Sequence, residues 1–140
     1  MRSDNEYMKY LGIDYGLRWV GFAIGDDETK LALPFETFKI ESEEQLFSFC
    51  TELIQKEGID MCVVGIPTIG AHSIDCTPYV TFSEKLSQHI SIPVIFADES
   101  FSTKQAQGYL GNSNKDNHAL SAMIILQSYL DHQKSHDNME

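Results

Sequence analysis

Asp14, Asp98, Glu99, Asp116 and His118 are the residues of this chain whose types and placement could do chemistry together. Asp14 falls in the run Tyr10-Leu11-Gly12-Ile13-Asp14-Tyr15-Gly16, whose apolar members read as a buried strand. A carboxylate there carries a desolvation cost, which pairing, hydrogen bonding or a cation offsets. Gly12 and Gly16 leave bare backbone on either side, allowing a turn and close approach by a ligand. Asp98 and Glu99 close a second apolar run, and Asp116 and His118 open the last amphipathic stretch. Hard cations such as Mg²⁺ take a few carboxylates and keep several waters, which leaves room for phosphate oxygens. Two such ions roughly 3.5–4 Å apart can activate a water and stabilise the leaving oxygen of a phosphodiester. That chemistry draws its acids from distant segments, because only the fold can set their separation.

Each residue also has a plain structural use. Asp14 could cap the turn after its strand, and Asp98 and Glu99 could flank a helix N-terminus, where negative charge is favoured. Asp116 is an ordinary N-cap residue, and a first-turn His118 is commonly a surface residue. The joint pattern therefore has to be tested against the elements that would position it.

Three extended stretches come first. Residues 8–15 read as a buried strand; Val20, Phe22 and Ile24 alternate with small residues in a second; Leu31, Leu33, Phe35 and Phe38 mark a third. Pro34 suits an edge or a bulge in that third strand, and short turns make the three an antiparallel meander. The period then changes. Ser42 and Gln45 form a capping box, followed by Leu46, Phe49, Cys50, Leu53 and Ile54 at helical spacing until Gly58. Met61 to Ile66 reads as a strand covered on both faces. Pro78 opens a helix with the stripe Tyr79, Phe82, Leu86 and Ile90, and Ile92 to Ala97 form the fifth strand. Ser102 and Gln105 open a short helix ending at Gly111. Ala119, Ala122, Met123, Leu126 and Leu130 line one face of the last helix, with fraying expected from Asp131. The order βββαβαβαα predicts a mixed α/β sheet in one domain, with flexible ends at 1–7 and 132–140. Were the first and fifth strands neighbours, Asp14, Asp98-Glu99 and the Asp116–His118 segment would converge on one edge, where ligands of such sheets collect.

The 140 residues suffice for a core without staples. Cys50, Cys62 and Cys76 form no CxxC pair, which argues for a reduced cytosolic chain without a disulfide framework or zinc knuckle. No apolar run is long enough to span a bilayer, so a cytoplasmic protein with no membrane partner is expected. The net charge of −11 is the wrong sign for a general nucleic-acid binder. The excess is local: residues 26–60 carry ten acids and three bases, whereas residues 1–25, with Asp14 and Arg18, carry three of each.

The chain resembles the YqgF family of pre-16S rRNA nucleases, also called Holliday-junction-resolvase-like proteins. The resemblance runs from Met8 to Asp131. It rests on Leu11-Gly12-Ile13-Asp14-Tyr15-Gly16, Val20-Gly21-Phe22-Ala23, Val63-Val64-Gly65-Ile66-Pro67, Asp98-Glu99-Ser100-Phe101-Ser102-Thr103 and Ser121 to Leu130. It implies an RNase H-like fold: a five-stranded mixed sheet flanked by helices. It also implies metal-dependent hydrolysis of structured RNA in ribosome biogenesis, with Mg²⁺ or Mn²⁺. By the same resemblance Asp14 and Glu99 match two acidic metal ligands, and Arg18 matches a basic residue after the first strand.

Three departures stand out. The family's third acid, at the start of the last helix, falls on His118, which can bind Mn²⁺ and, less readily, Mg²⁺, or shuttle a proton. The loop after Gly65-Ile66-Pro67 reads Thr68-Ile69-Gly70-Ala71-His72-Ser73, where the family has an Asn-Met-Asp-Gly-like sequence. Ser100 replaces a common Arg. Arg18, Lys104 and Lys115 are left as phosphate partners, so binding is expected to be weak and salt-sensitive. The expected site is thus Asp14, Glu99 and His118 on metal, with Arg18 and Lys104 on substrate. A catalytically impaired binding or scaffold protein is the second reading. A junction-resolving DNase ranks below it, since such enzymes need a broad basic face. Oligomeric state stays open, and His72 and His89 default to loop or surface positions.

Overall fold

The computed structural model describes residues 7–66, 76–98 and 115–138; side chains at 98, 115–117 and 134–138 fall outside that description. The elements are β1 (Lys9–Tyr15), β2 (Trp19–Asp26), β3 (Ala32–Lys39), α1 (Glu43–Glu57), β4 (Met61–Ile66), α2 (Thr77–His89), β5 (Val94–Asp98) and α3 (Lys115–Asn138). The expected helix over 102–111 lies outside the described residues.

The strands form one mixed sheet in the order β3-β2-β1-β4-β5. β1, β2 and β3 pair antiparallel as the expected meander, while β1, β4 and β5 run parallel. The condition posed for convergence is not met as stated: the first and fifth strands are not neighbours, because β4 lies between them. The continuous apolar run of β4 takes this interior place since it has a hydrophobic side chain for each face. The carboxyl ends of β1, β4 and β5 still share one edge, because all three are parallel.

Local sequence explains the element ends. The Ser42 side chain accepts from the Gln45 amide at 3.2 Å, and Gly58 ends α1 at φ 67°, a left-handed conformation that costs glycine little. Pro34 sits on edge strand β3, beside the register shift opposite Phe22 and Ala23. β5 begins at Val94, two residues later than expected, because Pro93 has no N–H for the ladder and offers its carbonyl to the Cys62 amide instead. α3 runs to Asn138, past Asp131, and Gln133 donates to the Tyr129 hydroxyl at 3.0 Å.

The two faces of the sheet differ in size. On one, Leu11, Ile13, Val20, Phe22, Cys62 and Val64 pack against Leu46, Cys50 and Leu53 of α1 and Phe82 and Leu86 of α2. On the other, α3 brings Ala122, Ile125, Leu126 and Leu130 against Tyr10, Ala23 and Val63. The strand residues beneath α3 are mostly small. A Cβ added at Gly12 would stand 2.8 Å from Leu126 Cβ and 2.9 Å from the Ala122 carbonyl; one at Gly21 would stand 1.9 Å from the His118 carbonyl. The glycines let α3 lie almost on the backbone of β1 and β2. The close approach expected at Gly12 is therefore made by a helix and not by a ligand.

Candidate active site

Asp14 is the penultimate residue of β1 and pairs with Gly21 across the antiparallel ladder, so both face α3. Gly21 has no side chain, which lets the first turns of α3 settle there with the His118 backbone against it. His118 Nδ1 then lies 3.7 Å from Asp14 Oδ2, the side chains being 20% and 17% exposed. Gly16 completes the seat: a Cβ there would be 3.8 Å from His118 Cε1 and 2.7 Å from the Trp19 carbonyl. The strand pattern of β1, the glycines and the apolar stripe of α3 thus bring together two residues that are distant in sequence.

The 3.7 Å separation is too long for an N–H···O hydrogen bond. An octahedral ion with bonds of about 2.1 Å holds ligand atoms roughly 3.0 Å apart when cis and 4.2 Å when trans; the 3.7 Å gap matches neither, so a shared cation would require these side chains to shift by about half an ångström. One carboxylate and one imidazole make an incomplete donor set. Among the described residues no group of three or more His, Cys, Asp or Glu forms that could hold a metal. Glu99, expected as a ligand, and Lys104, expected on substrate, lie outside the described residues, as does His72. β5 ends at Asp98, paired with Ile66 of β4, one residue before Glu99.

Arg18 is exposed in the β1–β2 turn, and its carbonyl accepts from the Ile40 amide at 2.8 Å. That bond ties the turn to the end of β3 and keeps Arg18 at the carboxyl edge. On the far face of the same edge, Tyr15 stacks on Phe82 with centroids 4.5 Å apart. With Leu17, Ile40 and Pro78 it lines a cleft of about 390 Å³. Burial, then the Glu43 carboxylate, raise the Tyr15 hydroxyl above its ordinary range against the opposing pull of Lys85. Tyr15 therefore stays a neutral hydroxyl at physiological pH and cannot serve as a base. His89 is an exposed surface residue, as expected: its ring stacks on Phe47 and its Nδ1 contacts the Lys85 carbonyl at 2.8 Å.

Sequence reasoning missed Trp19 and Lys39. Trp19 opens β2 opposite Lys39, whose ammonium lies 5.8 Å from the indole centroid. The signal was present as a basic and an aromatic residue at the two ends of one hairpin, but their pairing depends on register.

A five-stranded mixed sheet in the order β3-β2-β1-β4-β5, covered by helices on both faces and carrying a carboxylate near the end of β1, has the architecture of the RNase H-like class. Solved structures bear out the fold. Thermus thermophilus RuvC in complex with a Holliday junction superposes with a TM-score of 0.61 over 91% of this chain and 96% of that one, at 16% identity. The fowlpox virus resolvase bound to its junction DNA gives 0.55 over 90% and 99%, at 11% identity.

The chain belongs to the RuvX family, described as Holliday junction resolvase, whose family model matches residues 8–132. A relative from Caldanaerobacter subterraneus subsp. tengcongensis is 35% identical over 91% of this chain and 99% of its own, and carries the name "Putative pre-16S rRNA nuclease". Relatives from Bacillus cytotoxicus, at 34% over 89% and 98%, and Nitratidesulfovibrio vulgaris, at 30% over 88% and 93%, bear the same name. The YqgF resemblance and the nuclease assignment drawn from sequence are borne out, and nucleic acid is the partner class. Among the described residues no helix is long and apolar enough to cross a membrane.

Proposed function

We propose that this chain hydrolyses phosphodiester bonds in structured RNA, as a pre-16S rRNA processing nuclease acting in the cytoplasm. One observation carries the reading: Asp14 and His118 face each other at 3.7 Å on the strand edge where β5 also ends. The RNA preference is supported by the name its relatives share. Asp14, Glu99 and His118 would hold Mg²⁺ or Mn²⁺, with Arg18 and Lys104 on phosphate. When bound, the ion supplies Lewis-acid stabilisation and lowers the pKa of water.

The protein's own part is positional. Asp14 fixes a negative charge at the edge of β1, and the Gly21 seat fixes His118 opposite it. With Nδ1 turned to Asp14, Nε2 is the atom at which His118 would pass a proton. If His118 acts as a ligand instead, His118→Asp restores an acid of the type the family carries and retains cleavage. If it moves a proton, that variant loses cleavage.

The test is cleavage of a labelled structured RNA and a four-way DNA junction in Mn²⁺, Mg²⁺ or EDTA, with wild type and Asp14→Asn. Metal-dependent RNA cutting that disappears in the variant is the expected result. Preference for the junction, the substrate in the family's description, would replace RNA by DNA in this reading. No cutting by a folded protein would leave a scaffold protein that has kept the fold and lost the chemistry.

A further inference from the structure

We propose that Trp19 and Lys39 form a stacking platform for an unpaired nucleotide flanking the scissile phosphate, a role that rests on the nuclease reading above. Trp19 is the single tryptophan of the chain, and among the described residues it joins neither core cluster. A tryptophan retained only for packing would be expected in one of them. It is half-buried, opens β2, and stands opposite exposed Lys39 at the end of β3. Gly21, two residues along the same strand, faces α3, so strand alternation places Trp19 on the face that carries Asp14 and His118. Gly16 fixes how near: its missing Cβ would touch the Trp19 carbonyl at 2.7 Å and approach His118 Cε1 at 3.8 Å. The indole-bearing residue and the imidazole thus flank one glycine.

The chemistry suits single-stranded nucleic acid. A chain of net charge −11 gains little from general phosphate attraction, whereas base stacking on an aromatic face is independent of charge and tolerant of sequence. The Lys39 ammonium sits 5.8 Å from the indole centroid, at the outer limit of about 6 Å for a cation–π contact. It is held loosely enough to turn to a phosphate while a base takes the ring face. A paired base inside a duplex cannot reach this platform, so the site favours a loop, bulge or single-stranded end beside the cut.

The emission of Trp19 reports on this site alone. In the full-length Asp14→Asn chain, a labelled single-stranded RNA of about 12 nucleotides should quench that emission in step with the rise in label anisotropy. A duplex of the same sequence should quench less. Trp19→Ala should weaken single-strand binding about tenfold and raise KM with little change in kcat, while Trp19→Phe restores most of the loss. Lys39→Gln should lower the salt slope of binding by about one. Unchanged emission at saturating RNA, or wild-type affinity in Trp19→Ala, overturns the platform. Cutting without quenching overturns it and leaves the nuclease reading intact. Quenching in a wild-type chain that cuts nothing keeps the platform and sinks that reading. No RNA binding at all overturns both.

Discussion

Gly21→Ala should both destabilise the protein and silence it. A Cβ at this position would lie 1.9 Å from the His118 carbonyl oxygen, 2.2 Å from its carbon and 2.7 Å from the Ala119 nitrogen. All three are backbone atoms, so no rotamer change relieves the clash. Gly21 has no positive φ, so alanine suits the strand and the helix alone is displaced. Reaching the 3.0 Å floor of real Cβ contacts requires α3 to move by about 1.1 Å at His118. Overpacking of this kind costs about 1–3 kcal/mol, and the rigid partners point to the upper end. For a domain of this size that is roughly 10 °C in Tm. A misplacement of about 1 Å at a reacting group costs on the order of 10²-fold in rate. Gly12→Ala is the graded comparison: its nearest contacts are 2.8 and 2.9 Å, so the required shift is small and the loss should be near 1 kcal/mol. Urea unfolding of both variants, together with kcat/KM on the cleaved substrate, checks the ranking. A Gly21→Ala protein with wild-type midpoint and wild-type kcat/KM would refute the close seating of α3. Lost stability with full activity in the folded fraction would detach His118 from the reaction.

Two further outcomes follow from other parts of the fold. Gln127 accepts from the Ala32 amide and donates to the Lys30 carbonyl, both at 2.9 Å, so Gln127→Leu should cost about 1–3 kcal/mol in urea unfolding. Lys30 and Ala32 bound the β2–β3 turn, far from the carboxyl edge, so cleavage per folded molecule should be unchanged. Burial pushes the Cys50 thiol up to about 12 and raises Cys62 further, so native protein should alkylate at Cys76 well before either. The unfolded chain loses these protons from about pH 9, while the folded chain keeps them. Stability should therefore be intact below pH 9 and fall by about 1.4 kcal/mol per buried thiol at pH 10, read by denaturant titration across that range.

Much of the fold was legible because its signals are local. The Ser42–Gln45 cap, the left-handed Gly58 and the six-residue run of β4 each fix an element from neighbouring residues alone. So does the alternation of Val20, Phe22 and Ile24 with Gly21, Ala23 and Gly25, which separates the large face of β2 from the small one. Asp14 could be singled out for a similar reason: a carboxylate in a buried strand is costly wherever the strand lies. Order among the strands is not local. The insertion of β4 between β1 and β5 follows from which apolar faces can be covered together. The seating of α3 is likewise a tertiary matter, since glycines that read as room for a ligand are filled by the helix backbone. The same holds for Trp19 and Lys39, which meet only through the register of β2 and β3. By itself the sequence determined the type and order of the described elements, several of their caps, and the acid that had to be explained. Only the tertiary structure decided that His118 stands 3.7 Å from that acid, because the distance is set by how closely a helix can pack on two glycine-bearing strands.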